Sequence, residues 1–156
     1  MTLVPGANGR FAIITSRFNE LITSRLAAGA RACLLEHGVP AADITELAVP
    51  GAWELPLAAR LLARQGFSGI VALGCVIRGD TPHFEYVARA AADGLAQVSL
   101  AHDLPIGFGV LTTEDDQQAL ARAGGREGNK GWEAAQAALE MAELKARLQA
   151  DARDPQ

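Results

Sequence analysis

The sequence predicts an α/β protein in which helices cover both faces of a parallel β-sheet. Short apolar runs alternate along the chain with longer segments whose apolar residues recur at helical spacing. Strands that alternate with helices in this way require right-handed crossovers, and these produce a parallel sheet. The run from Gly69 to Ile77, GIVALGCVI, is apolar almost without interruption, as expected of a strand that is covered on both faces.

The first half of the chain supplies two strand–helix units. Gly38 is a stop signal for the first helix. Pro56 fits only the first turn of the second helix, and Gly66 follows its end. The predicted elements are a strand from Phe11 to Thr15, a helix from Glu20 to His37, a strand from Ile44 to Val49 and a helix from Glu54 to Arg64.

The second half continues the alternation after the strand Gly69 to Ile77. Thr81 is predicted as the N-cap of the next helix and Pro82 as its first residue. Thr113 is the hydroxyl cap expected for the helix after the fourth strand, with acidic residues in its first turn. Gly124 and Gly125 interrupt the helical pattern. The predicted elements are a helix from Pro82 to Ala101, a strand from Ile106 to Leu111, a helix from Thr113 to Ala123 and a helix from Lys130 to Ala150.

Four such strands predict a three-layer α/β/α sandwich of flavodoxin-like type. The 156 residues, 49 % of them hydrophobic, suffice for one domain with its own core. We expect that domain to span residues 1–156, with flexible ends at 1–9 and 151–156.

Charge and cysteine content exclude several classes of protein. The net charge is −4 and no basic block occurs, so a nucleic-acid interface is not expected. Cys33 and Cys75 lie far apart in apolar segments, which favours buried reduced thiols and a cytoplasmic protein. Neither a signal peptide nor an apolar run of about 20 residues is present, so no membrane span is expected.

Ligands of doubly wound sheets bind beyond the carboxyl ends of the strands, so the residues that follow each strand are the candidates. The turn Gly79-Asp80-Thr81 precedes a helix, and exposed amides there suit a phosphate, although an ordinary capped helix start explains it equally well. His83 lies in the first turn of the same helix. The helix dipole favours its neutral form and a bound phosphate favours the protonated form, so a catalytic and a structural role both stay open.

Two aromatic residues follow the first two strands. Phe18 lies among polar neighbours, where its ring can stack on a planar ligand, and Trp53 is either a core residue or part of the same rim. Glu54 can accept hydrogen bonds from substrate hydroxyls or favour its helix N-terminus. Arg122 and Lys130 flank a glycine-rich loop. They are surface residues unless that loop reaches the rim.

Taken together, these segments resemble the lumazine synthase family of riboflavin biosynthesis over nearly the whole chain and in the same order. The resemblance rests on several motifs jointly. The matching stretches are Arg17-Phe18-Asn19 with Ile22, then VPGAWELP from Val49 to Pro56, LGCVIRGDTPHF from Leu73 to Phe84, PIGFGVLT from Pro105 to Thr112, Gln118-Ala119, Arg122-Ala123 and Asn129-Lys130-Gly131.

The resemblance implies a transferase that uses no cofactor and no metal. Its substrates are 5-amino-6-(D-ribitylamino)uracil and 3,4-dihydroxy-2-butanone 4-phosphate, which condense to 6,7-dimethyl-8-ribityllumazine, phosphate and water in the penultimate step of riboflavin biosynthesis. Such a reaction needs proton transfer, phosphate stabilisation and the orientation of two substrates.

The resemblance also assigns roles to individual residues. His83 is the proton-transfer residue, and Arg122 is the main cation for the phosphate. The phosphate site also includes Gly79, Asp80 and Thr81. The pyrimidine and ribityl groups contact Phe18, Ala52, Trp53, Glu54, Val76, Ile77, Phe108 and Lys130. The sequence departs modestly from the family where Trp53 replaces a common Phe and Pro82 replaces a small polar residue.

In the resembled family the site lies between neighbouring subunits of a homopentamer, so Phe108, Arg122 and Lys130 face the other residues across an interface. Pentamers, decamers and icosahedral shells of twelve pentamers all occur, and riboflavin synthase is a further implied partner. The short loop Gly124 to Gly128 favours a shell, whereas Pro5 makes the N-terminal segment a poor added strand. We expect an isolated pentamer.

Three other functions stay open from the sequence. A flavin-binding or storage module would carry glycine in the loop after its first strand, and Ser16-Arg17-Phe18-Asn19 has none. A shell subunit without turnover would have less reason to keep His83, Arg122 and Lys130. A related enzyme that dismutates the lumazine to riboflavin is the third alternative.

Overall fold

The computed structural model describes residues 9–80 and 82–153. A four-stranded, all-parallel sheet in the order β2-β1-β3-β4 is flanked by helices, which confirms the predicted three-layer α/β/α arrangement. The predictions for Pro5, for Thr81 and for residues 1–8 and 154–156 fall outside the described residues. The elements are β1 (Phe11–Ser16), α1 (Glu20–Glu36), β2 (Ile44–Val49), α2 (Leu55–Leu62), β3 (Gly69–Ile77), α3 (His83–His102), β4 (Ile106–Thr113), α4 (Asp116–Ala121), β5 (Ala123–Gly125), β6 (Gly128–Asn129) and α5 (Lys130–Arg153).

Alternation along the central strands divides the core into two halves. Phe11 and Ile13 of β1 pack with α1, α4 and α5 on one face of the sheet. Ala12 and Ile14 pack with α2 and α3 on the other face. Successive side chains of a strand point to opposite faces, so one apolar run serves both layers. This is the physical reason for the uninterrupted apolar sequences of β1 and β3.

The strand register makes the carboxyl edge of the sheet uneven. Ser16, the last residue of β1, pairs with Val49 at the end of β2. The pairing of β1 with β3 stops at Thr15 and Leu73, whereas β3 and β4 stay paired as far as Ile77 and Thr113. Therefore β3 and β4 continue past the ends of β1 and β2, and the loops that follow the shorter strands face a segment of β3 that is not paired with β1.

Two helix starts differ from the prediction. Helix α3 begins at His83 with Pro82 at the N-cap position, so the prediction of Pro82 as the first helical residue was wrong. Thr113 does not cap α4, because pairing with Ile77 keeps it in β4. Its hydroxyl donates to the Asp115 carbonyl at 3.0 Å. The cap is Asp115, whose carboxylate accepts a hydrogen bond from the Gln118 amide at 2.8 Å.

Other element boundaries also differ from those predicted. A 3₁₀ turn over Ala52–Glu54 precedes α2, which ends at Leu62 rather than Arg64. The segment after α4, expected as a loop, forms the antiparallel pair of β5 and β6, with positive φ at Gly124 and Gly128. Glycine adopts such φ values without a steric penalty, which explains the glycines there. Helix α5 continues to Arg153 instead of ending at Ala150.

Glycine also permits close contact between the layers. A Cβ on Gly131 in α5 would overlap the Leu26 carbonyl oxygen of α1, and a Cβ on Gly107 in β4 would overlap the Ala134 carbonyl oxygen of α5. Backbone carbonyls cannot rotate away as a side chain can, so these positions fix α5 against both α1 and the sheet. Among the described residues, no helix is long and apolar enough to cross a membrane.

Candidate active site

A cavity of about 380 Å³ lies at the carboxyl edge of the sheet, where the sequence places the candidate residues. Its walls come from the β1–α1 turn, the β2–α2 turn, the end of β3 and the start of α3. The lining is mostly apolar, with a few polar groups at its rim, which is typical of small-molecule sites. The lining residues are Phe18, Gly51, Ala52, Trp53, Cys75, Val76, Ile77, Gly79, His83, Phe84 and Val87.

Phe18 presents an uncovered ring to this cavity. Its side chain is 70 % exposed, so core packing does not hold it. The backbone of the turn is held instead, because the Arg17 amide donates to the Val49 carbonyl at 2.8 Å and the Phe18 amide donates to the Pro50 carbonyl at 3.2 Å. An exposed ring on a fixed backbone is suited to stacking on a planar ligand.

The 3₁₀ turn Ala52–Glu54 forms a second wall. Trp53 is 62 % exposed and lines the cavity, and Ala52 is buried beneath it. The turn is closed by a hydrogen bond from the Glu54 amide to the Gly51 carbonyl at 3.2 Å. Glu54 is half-buried and is not among the residues that line the cavity of the isolated chain. The structure therefore brings Ala52 and Trp53 to the cavity and leaves Glu54 beside it.

The end of β3 forms the floor of the cavity. Cys75, Val76 and Ile77 line it, and their backbone lies past the last residue of β1. Burial, with a smaller contribution from Asp116, raises the pKa of the Cys75 thiol from 9.0 to about 11. The thiol is therefore protonated at neutral pH, and it does not serve as a nucleophile or a proton acceptor there.

The turn between β3 and α3 carries Gly79 and His83 to the cavity rim. A Cβ on Gly79 would meet nothing within 4 Å, so this face of the turn is open to a ligand. His83 is exposed in the first turn of α3, and Phe84, which also lines the cavity, is half-buried. Asp80 is exposed and does not line the cavity. Thr81 is outside the described residues.

Arg78 holds both ends of this turn. Its amide donates to the Thr113 carbonyl at 2.9 Å. Its guanidinium lies 3.4 Å from a Glu114 carboxylate oxygen and 5.6 Å from the centre of the Phe84 ring. Each contact is weak at this exposure, but together they connect the end of β3 to the start of α3. Arg78 was not among the predicted site residues, although an arginine directly after a strand indicates a residue at the carboxyl edge of the sheet.

Besides Glu54 and Asp80, the predicted site residues Phe108, Arg122 and Lys130 do not line this cavity in their own chain. Phe108 lies on the edge strand β4 and is 40 % exposed. Arg122 ends α4, where its guanidinium donates to the Gln118 carbonyl at 3.1 Å. The helices α4 and α5 belong to the layer with α1, whereas the cavity borders the layer of α2 and α3. Arg122 and Lys130 therefore start from the face of the sheet opposite the cavity.

Asn129 fixes the position of Lys130. Its side-chain oxygen accepts hydrogen bonds from the amides of Gly131 at 2.8 Å and Trp132 at 3.1 Å. Its side-chain nitrogen donates to the Arg25 carbonyl of α1 at 3.0 Å. This asparagine caps α5 and connects it to α1. Its place next to a helix start indicates the capping role, but that role was not predicted.

Among the described residues, no group of three or more His, Cys, Asp or Glu side chains could hold a metal ion.

The chain matches a known protein family. The sequence model of 6,7-dimethyl-8-ribityllumazine synthase matches residues 8–146 of the 156-residue chain. The match covers all four strands of the sheet and every residue that lines the cavity.

Proposed function

The chain belongs to the 6,7-dimethyl-8-ribityllumazine synthase family, enzymes that make a lumazine in riboflavin biosynthesis, and from this premise we propose its substrates and the roles of its residues. The protein acts as a transferase on 5-amino-6-(D-ribitylamino)uracil and 3,4-dihydroxy-2-butanone 4-phosphate, and this is the penultimate step of the pathway. The observation that carries the proposal is the cavity that gathers Phe18, Trp53, Gly79 and His83 in a member of this family.

The pyrimidine is proposed to stack on Phe18. A ring that is already exposed in the free protein is available to a ligand without disrupting the core. Stacking of a heteroaromatic base on such a ring contributes about 1–3 kcal/mol in other proteins. The backbone of Val76 and Ile77 then meets the polar edge of the pyrimidine, and Ala52, Trp53 and Glu54 hold the ribityl chain.

The phosphate of the second substrate is proposed to bind at the turn before α3. Helix α3 spans 20 residues, and the free amides at a helix N-terminus favour an anion. The open space at Gly79 allows the phosphate to approach the backbone. Asp80 does not line the cavity, so its carboxylate leaves this approach open. Thr81, which is outside the described residues, joins this site as a prediction from the sequence and the resemblance.

His83 is proposed to carry protons during the condensation. The aromatic amine attacks the ketone carbon, and loss of water gives an imine. Loss of a proton from carbon and departure of phosphate follow, and the second nitrogen then closes the ring with loss of another water. Overall one phosphate and two waters leave. Each step moves a proton at an atom near the rim, and His83 lies on that rim within the first turn of α3.

Phe108, Arg122 and Lys130 are proposed to complete the site from a neighbouring copy in a homopentamer. They do not line the cavity of their own chain, and Arg122 is exposed at the end of α4. A cation is needed near a departing phosphate. A head-to-tail ring of subunits brings one surface of a chain to a different surface of the next chain, which is how Arg122 would reach the turn at Gly79.

The proposal is tested by mixing the purified protein with both substrates. Lumazine fluorescence and phosphate release should rise together, one to one, faster than the spontaneous reaction. His83→Ala should lower kcat, and Arg122→Ala should raise the KM for the butanone phosphate about tenfold or more. Arg126→Ala, another exposed arginine in the adjoining hairpin, is the matched control and should leave that KM unchanged.

The same assay separates the alternatives. Lumazine binding without turnover would favour a binding module or a shell subunit, and conversion of the lumazine to riboflavin would identify the dismutating enzyme. Absence of any rate above the uncatalysed background would reject the synthase proposal.

A further inference from the structure

Asn19 has an unusual conformation for the residue that starts a helix. Its backbone is left-handed, with φ 63° and ψ 49°, and its side chain makes no capping hydrogen bond to α1. An N-cap residue normally has an extended backbone and uses its side-chain oxygen to accept a hydrogen bond from an amide of the first turn, which stabilises the helix. The Asn19 side chain therefore does not cap α1, and the helix lacks this source of stability.

The side chain of Asn19 instead reaches β3. Its amide nitrogen donates to the Cys75 carbonyl at 2.9 Å. The ladder between β1 and β3 has already ended at Thr15 and Leu73. The Cys75 carbonyl therefore lies past the last paired residue of β1, and the Asn19 amide supplies a donor where the neighbouring strand no longer runs alongside.

This hydrogen bond joins one wall of the cavity to its floor. Phe18 precedes Asn19 and lines the wall, and the segment Cys75 to Ile77 forms the floor. The Phe18 ring is 70 % exposed, so its position depends on the backbone bonds of its turn. The amides of Arg17 and Phe18 bond to the end of β2 and the residue after it, and Asn19 adds the bond to β3.

We propose that Asn19 is a positioning residue that sets the distance between the Phe18 ring and the end of β3, and thereby the width of the slot for a planar heteroaromatic ring. The identity of that ring as the ribitylaminouracil rests on the proposed function. A slot of fixed width pre-orients the pyrimidine for attack on the second substrate, and small displacements of a positioned ring are costly. Asn19 acts through Phe18 and does not touch the reacting atoms.

The test compares Asn19→Gly with Asp103→Gly. Glycine keeps the left-handed backbone at both positions, since Asn19 and Asp103 both have positive φ among the described residues, and Asp103 lies at the far end of α3. Asn19→Gly should raise the KM for ribitylaminouracil, and the Kd for 6,7-dimethyl-8-ribityllumazine, about tenfold. The KM for the butanone phosphate should change less than about twofold. Asp103→Gly should change neither.

Asn19→Asp provides a second variant of nearly the same shape. It replaces the donor by an acceptor that faces the Cys75 carbonyl, so it should weaken pyrimidine binding at least as much as Asn19→Gly. Equal KM increases for both substrates would show a general structural role and overturn the proposal, as would unchanged pyrimidine binding in Asn19→Gly.

Amide hydrogen exchange separates this proposal from the proposed function. If the unmodified protein neither binds the lumazine nor turns over, the proposed function fails. Faster exchange at Arg17 to Asn19 in Asn19→Gly than in Asp103→Gly would then still support the positioning role, and equal exchange would overturn it.

Discussion

Removal of the Phe18 ring should separate ligand binding from folding. Because 70 % of this side chain is exposed, Phe18→Ala should change the free energy of unfolding by less than about 0.5 kcal/mol. If the pyrimidine stacks on the ring, the same substitution removes about 1–3 kcal/mol of binding energy. Since 1.4 kcal/mol corresponds to a factor of ten, the Kd for 6,7-dimethyl-8-ribityllumazine should rise about 5- to 150-fold.

Fluorescence titration with the lumazine measures this Kd, and urea denaturation measures the stability of the same samples. Phe18→Leu retains apolar area without the flat ring and should bind nearly as weakly as Phe18→Ala. Leu21→Ala is the matched control, because Leu21 is 66 % exposed in the first turn of α1, close to Phe18 in sequence, and does not line the cavity. A change in Kd below twofold for Phe18→Ala would refute stacking. A large loss of stability would refute the view that the ring is held by its backbone.

Three further predictions concern stability and thiol chemistry. Gly131→Ala should lower the free energy of unfolding by about 2–3 kcal/mol, because the added Cβ would overlap a backbone carbonyl. Gly79→Ala, whose Cβ would meet open space, is the control and should be nearly neutral in the same urea titration. Asp115→Ala should cost about 1 kcal/mol by removing the cap of α4, and a loss below about 0.3 kcal/mol would contradict that role. Burial raises the pKa of both Cys33 and Cys75 to about 11, so native protein at pH 8 should react slowly with iodoacetamide until denaturant exposes both thiols. Because unfolding lowers these pKa values, the two thiols should reduce stability as pH rises from 9 toward 11.

The sheet could be predicted because each strand satisfies a local rule and a global rule together. The bounds of β2 and β3 agree with those predicted, from Ile44 to Val49 and from Gly69 to Ile77. The apolar runs are typical of β-strands, and the amphipathic segments between them require crossovers. The helix starts were less predictable because they depend on how far a strand stays paired. Thr113 has the residue type of a cap, but pairing with Ile77 keeps it in the sheet.

The cavity was partly predictable for the same reason. Residues that directly follow strands must meet at one edge of a parallel sheet, so Phe18, Trp53 and His83 were expected together, and they line one cavity. The hydrogen bond from Asn19 to Cys75 was not predictable, because it depends on where the ladder of β1 ends. For Arg122 the residues left a phosphate ligand and a surface arginine open, and the resemblance assigned its role. Its distance from the cavity in one chain follows from the layer in which α4 packs.

If one active site is assembled from two chains, two variants that each lack a different half of the site should regain activity when they are mixed. One variant carries Phe18→Ala and His83→Ala, and the other carries Arg122→Ala. After they are unfolded together in equal amounts and refolded, random assembly in a ring gives about a quarter of the interfaces a complete set of side chains. With the butanone phosphate held well below the KM of Arg122→Ala, about a quarter of the unmodified lumazine-forming rate should return. A mixed sample that is no faster than the two variants measured separately would show that the site is not shared between chains.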